Sequence, residues 1–135
     1  MIQHFLDTNA AITLMNYRPG RLFARVAAAP EKSVAVSALV VHELLYGAMR
    51  SAKIELNLKR IRLFLTDIPV FPFDAEDARV AGEVRAVLAA RGTPIGPYDA
   101  LIAAQAKVRN LTVITNNVRE FSRVDGLRIE DWSAA

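Results

Sequence analysis

The chain opens with an apolar run, "MIQHFL", that stops at Asp7 and gives way to "TNAAITLMN", where apolar positions recur at helical spacing. The first stretch predicts a strand over residues 1–6, and the second a helix over 8–16 capped by Asp7 or Thr8. Pro19 and Gly20 interrupt the chain before "RLFARVAAA", a short helix that ends ahead of Pro30. "SVAVSA" is a compact β-branched run that predicts a second strand, and Ser37 can cap the helix "ALVVHELLYGAMRSA" behind it. From Lys53 to Leu65, the residues Ile54, Leu58, Ile61 and Leu65 form a helical stripe, with Lys59, Arg60 and Arg62 off it. "IPVFPF" predicts a third strand, and its prolines suit a sheet edge or a strand end.

Asp74 is placed to cap the helix "AEDARVAGEVRAVLAARG", with Ala81, Val84 and Leu88 as its inner stripe and Gly92 as its stop. "GPYDALIAAQAKVRN" predicts a further helix with Pro97 in its first turn, apolar around most of its girth and therefore central. "LTVIT" predicts a fourth strand and "LRIEDW" a short fifth. Strands alternating with helices imply an α/β fold, a mostly parallel central sheet with helices on both faces, in one domain over residues 1–135. Such sheets hold their ligands at the carboxyl ends of the strands, beside a topological switch. Asp7 stands at such an end.

Composition adds bounds. With 53% apolar and 23% charged residues the chain reads as globular and core-rich. The N-terminus has no basic start, apolar core and cleavage site, and no apolar run is long enough to cross a bilayer, so a cytoplasmic protein is expected. The absence of Cys excludes disulfides and thiol chemistry. The net charge is only +3, but thirteen of the seventeen basic residues are Arg, whose planar fork matches phosphate.

Three carboxylates stand in apolar company. Asp7 ends a strand. Glu43 has Leu39, Val40, Tyr46 and Gly47 one turn away on its helix, so it is either paired, for instance with an Arg, or opens into a cleft. Asp99 lies in the first turn of the central helix, where a carboxylate is favoured as a cap or by the helix dipole. A fourth area is "TVITNNVREF", where a strand ends in Thr115, Asn116 and Asn117, with Glu120 one turn on. Each is explicable alone by capping, pairing or turn chemistry. Together they converge on one edge of a parallel sheet, and several ionised carboxylates in one cleft need a cation. The donors are all oxygen, with no Cys and only His4 and His42, which favours Mg²⁺ or Mn²⁺ over structural zinc. "HELLY" at 42–46 begins like the zinc-protease pattern, but Tyr46 stands where its second His would be. Phosphate-loop, dinucleotide-binding and nucleophile-elbow patterns are absent.

"FLDTNAAI", "SALVVHELLYGA", "GTPIGPYDALIAAQAK" and "LTVITNNVREFSRVDGLRIEDW" together resemble the PIN-domain ribonucleases, specifically the VapC toxins of toxin–antitoxin pairs. The likeness runs from the first strand to the last. It implies a Mg²⁺- or Mn²⁺-dependent endoribonuclease, tRNA as the leading substrate, a VapB-type antitoxin as partner, DNA reached only through that antitoxin, and a homodimer. The family's acidic positions fall on Asp7, Glu43 and Asp99. The fourth is open: where some members carry an Asp, this chain has the amide Asn117, and Glu120 is the alternative. On this reading Asp7 and Asp99 bind the metal directly, and Glu43 binds through water or orients the nucleophile. Glu120 binds through water or helps hold a second ion, and Asn9, Thr115, Asn116 and Asn117 support the ligands.

With the four acids neutralised by metal, seventeen basic and ten acidic side chains remain, a surface of +7 suited to RNA. Lys59, Arg60 and Arg62 form one candidate RNA contact, and Arg18, Arg21 and Arg25 another. Competing readings are a metal-dependent phosphohydrolase acting on a small substrate and a non-catalytic interaction module. The first lacks a second Asp two residues after Asp7, and the second is disfavoured by the intact acidic set. A receiver-like module would want an acidic pair after the first strand, where Thr8 stands instead.

Overall fold

A computed structural model describes residues 1–16 and 19–134. Five strands form one sheet: β1 (His4–Leu6), β2 (Val34–Ser37), β3 (Val70–Phe71), β4 (Thr112–Ile114) and β5 (Arg128–Glu130). Their order is β3-β2-β1-β4-β5, and every pairing is parallel. The helices between them are α1 (Thr8–Met15), α2 (Arg21–Ala28), α3 (Ala38–Met49), α4 (Ile54–Asp67), α5 (Ala75–Ala90), α6 (Pro97–Val108) and the single turn α7 (Val118–Phe121).

The elements follow the predicted order, and the strands are shorter than the apolar runs that announce them. β3 keeps only two ladder residues, because Pro69 and Pro72 flank it and cannot donate, and it forms one edge of the sheet. Gly92 takes φ +71° and ends α5 as expected. α6 buries Ala100, Ile102, Ala103, Ala104, Gln105 and Ala106, and its small side chains let it lie close to the sheet.

α1 to α4 pack among themselves and α5 packs on α6, which also touches α7. Right-handed crossovers put these two groups on opposite faces. Phe5, Leu6, Val36, Val40, Ile102, Val113, Ile114 and Phe121 fill the core between them. The strand order reverses between β1 and β4, so the crevice beyond their carboxyl ends is the topological switch.

Two polar clusters lie apart from that crevice. At the far end of α6 from Asp99, the fully buried Asp77 accepts from Arg109 (3.0 Å) and from Gln105 (3.3 Å), and also receives the Asp74 N–H (2.9 Å) in a capping box that starts α5. Near the C-terminus, Trp132 donates to Glu130 (2.9 Å), packs against His4 with the rings tilted by 59° and lies under the Arg25 guanidinium, tying α2 to β5. No helix among the described residues is long and apolar enough to cross a membrane.

Candidate metal centre

Strand register builds the site. Leu6 pairs with Ile114, and Ile114 with Glu130, so the next residues along, Asp7, Thr115 and Asp131, form a row across the ends of β1, β4 and β5. Asp7 is only 2% exposed. Its Oδ1 accepts the Ala10 N–H (2.8 Å) and so caps α1, while its Oδ2 accepts the Thr115 hydroxyl (2.5 Å). Thr115 Oγ1 in turn accepts the Asn117 N–H (2.9 Å), which leaves its own proton free for Asp7. Capping and site-building are therefore the work of one carboxylate, which keeps a lone pair on each oxygen for a ligand. Burial pushes the Asp7 carboxyl above its ordinary range, helped by Glu43 and Asp131 and opposed by its two hydrogen bonds.

Glu43 has no Arg partner among the described residues. Its Oε1 accepts the hydroxyl of Thr8 (2.7 Å), so consecutive residues of the β1–α1 junction tie down two acids: Asp7 by its own bonds, Glu43 through Thr8. Asp99, in the first turn of α6, is not the cap. Gly96 is, and the Asp99 carboxylate folds back over it, 3.5 Å from where a Cβ would stand. A side chain at residue 96 would crowd that carboxylate. Asp99 Oδ atoms have no hydrogen-bond donor among the described residues, and its pKa is pushed up to about 6, by burial first and then by Asp7, Glu43 and Glu120. Glu120 thus belongs to the same field, and its carboxylate is steadied by Asn117 Nδ2 (2.8 Å).

Four acids therefore share one crevice, and among the described residues no cationic side chain is bonded to any of them. Among the same residues no three His, Cys, Asp or Glu side chains close into a ready-made cage. Mg²⁺ does not need one: it takes one or two carboxylates directly and keeps water or substrate phosphate on its other positions. Asp7 and Asp99 fit that requirement, with oxygen donors of the right hardness and lone pairs to spare.

The other expected residues separate. Asn9 and Asn116 are exposed and line a cleft together with Thr115 and Asp131, and neither amide bonds a carboxylate among the described residues. Arg60 lines a cleft that contains Glu43, between α1, α3 and α4. At 100° per residue, Lys59 and Arg62 point elsewhere around α4, so the three do not form one patch. Arg25 is engaged with Glu130 (3.5 Å) and Trp132, Arg21 is exposed, and Arg18 lies outside the described residues. Sequence reading missed Thr8 as the holder of Glu43, and Asp131 as a fifth acid near Asp7. The strand register was the signal for Asp131; a hydroxyl beside a site acid was the only one for Thr8.

Residues 4–127 match the family model described as "PIN domain". The chain is 40% identical over 132 residues to the tRNA(fMet)-specific endonuclease VapC of Salmonella typhimurium, covering 98% of this chain and 99% of that protein. It is 42% identical to the tRNA(fMet)-specific endonuclease VapC of Shigella flexneri, over 98% of this chain and all of that protein. In the crystal structure of DNA-bound VapBC from Salmonella typhimurium, one chain superposes with a TM-score of 0.92 at 40% identity, over 98% of this chain and 99% of that one. An acidic crevice at the β1–β4 switch, in a fold and a sequence aligned end to end with these proteins, has one conclusion: the chain belongs to the PIN-domain family and, within it, to the VapC proteins.

Proposed function

We propose that this chain is the toxin of a toxin–antitoxin pair, an endoribonuclease that hydrolyses phosphodiester bonds of tRNA with Mg²⁺ or Mn²⁺ held by Asp7 and Asp99. The observation that supports the metal reading is the convergence of Asp7, Glu43, Asp99 and Glu120 on one crevice, where among the described residues no cationic side chain pairs with any of them. Membership of the VapC proteins carries the nuclease, and the relatives named for tRNA(fMet) supply the substrate class. The partner is a VapB-type antitoxin, as in the VapBC complexes, with DNA reached through it. The tRNA target puts its action in the cytoplasm.

A divalent cation bound here would make water more acidic and neutralise charge building on the phosphate oxygens. The chain's own residues do the rest. Thr115 holds Asp7 in one rotamer, and Asn117 holds Thr115, so the ligand oxygens are set before an ion arrives. Thr8 keeps Glu43 turned into the crevice, where its free Oε2 can orient the attacking water. Purified protein should cleave tRNA(fMet) with Mg²⁺, stop in EDTA and resume when Mg²⁺ is returned. Cleavage that survives chelation would refute the metal mechanism.

Glu120 has a subtler effect. It binds through water or helps hold a second ion, so Glu120→Gln should shift the Mg²⁺ titration of cleavage to higher concentration. At saturating Mg²⁺ it should lose less rate than Asp99→Asn. A titration that overlays the wild-type curve would remove Glu120 from the site.

For RNA, the cleft shared by Arg60 and Glu43 separates Arg60 from its neighbours. Arg60→Gln should weaken RNA binding and reduce the slope of log affinity against log salt by about one. Lys59→Gln and Arg62→Gln should change it less. Equal slopes for all three variants would route the RNA elsewhere.

A further inference from the structure

Immediately before Glu43 on α3 and Asp99 on α6 stand two aromatic rings, His42 and Tyr98, and they meet. His42 Nε2 and Tyr98 Oη share a hydrogen bond of 3.1 Å, and their ring centroids are 5.5 Å apart at a tilt of 46°. Both side chains are exposed, Tyr98 by 42%. Neither is needed by the core. Tyr98 is one of three Tyr in a chain with only 7% aromatic residues, and it lies beside a site acid. A large ring kept in water gains little for folding, and its hydroxyl is fixed by a residue from another helix. That combination stiffens an exposed ring one residue before a site acid on each of two helices.

We propose that Tyr98, held by His42, is a shelf on which one unpaired base of the RNA stacks beside the bond to be cut. The inference rests on the nuclease reading above and adds to it the part of the substrate that is gripped. Single-stranded RNA is commonly held by aromatic rings that stack its bases, with phosphates tracked by basic side chains. The acids cannot grip RNA themselves: without an ion they repel it, and with one they hold only the phosphate. A stacked base next to that phosphate fixes the strand against sliding and brings one bond into line. The shelf selects for an unstacked nucleotide, so a bond in a loop is favoured over one within a helix. Tyr98 is here a binding residue, and His42 positions it through the hydroxyl bond.

The test reads the stack directly, in an Asp7→Asn background that disables cutting. Short unstructured RNAs each carry one 2-aminopurine, whose fluorescence is quenched when it stacks, with its position moved along the strand. One position should be quenched by the Asp7→Asn protein, and adding Tyr98→Ala should restore its fluorescence. RNA affinity should fall about tenfold, the lower range of a lost base–ring stack. Tyr98→Phe keeps the ring and should recover most of the quenching and affinity. His42→Ala should give an intermediate loss. An abasic nucleotide at the quenched position should erase the affinity difference that Tyr98→Ala makes, because the two changes remove the same contact.

Quenching that is the same at every position with and without Tyr98→Ala would overturn the shelf, as would an affinity loss that persists on abasic RNA. If Tyr98→Ala instead leaves RNA binding intact and weakens only the hold on a protein partner, the ring serves that partner and the proposal fails. None of these outcomes depends on whether the wild-type protein cuts RNA, so failure of the shelf and failure of the nuclease reading are separate results.

Discussion

Asp99→Asn should lower the rate of RNA cleavage by about 10²–10³-fold, the scale on which a preorganised electrostatic contact to a transition state is lost. Asp7→Asn should lose a similar factor, and both variants should keep their circular-dichroism spectrum. Folding should survive because among the described residues Asp99 has no hydrogen-bond donor to lose and because an amide at residue 7 can still accept the Ala10 N–H. The wild-type protein adds a signature in pH. The Asp99 pKa of about 6 lies above its unfolded value near 3.8, so between those values the folded state keeps a proton that the unfolded state has released. Stability of the metal-free protein therefore falls as pH rises from about 4 through 6, and Mg²⁺ cancels the loss. A Tm in EDTA that does not fall between about pH 4 and pH 6 would contradict the raised Asp99 carboxyl. In the Asp99→Asn variant that fall should be reduced.

Arg109→Met should produce the second large effect, on stability rather than on activity. Asp77 is fully buried, and among the described residues Arg109 is its only cationic partner. Removing one member of such a pair strands the other charge, at a cost of about 3 kcal/mol. For a domain of this size that is a fall in Tm of roughly 10 °C. The guanidinium is partly exposed and also bonds Asp74, which keeps the figure at the low end of the range. Adding Asp77→Asn removes the stranded charge and should return part of the loss. The double variant should be more stable than the two single effects added together predict. Additive losses would mean that Arg109 stabilises through its packing over Phe71 instead.

Order and type of elements were legible in the sequence because they depend on local pattern: β-branched runs for strands, a four-residue beat for helices, Gly92 and the prolines for stops. The acids were legible because a carboxylate among apolar neighbours is anomalous wherever it occurs. What joins them was not legible. The bond from Thr8 to Glu43 depends on how α1 and α3 are phased across the sheet, and 35 residues of chain separate its ends. The bond from the Asn117 amide to Glu120 depends on turn geometry that no local pattern announces. The basic residues of α4 are close in sequence, but helical rotation sets Arg60 apart from Lys59 and Arg62, which share a face. Arg25 looked free because Trp132 and Glu130 lie more than one hundred residues further on.

The bond between Asp7 and Thr115 joins residues 108 positions apart. A ribosome making this chain delivers the second of them more than one hundred residues after the first. Until β4 emerges and pairs with β1, the hydroxyl that fixes Asp7 is missing, and Glu120, later still, has not been made. The acidic crevice of a growing polypeptide therefore stays unassembled until β4 has been made and has paired with β1.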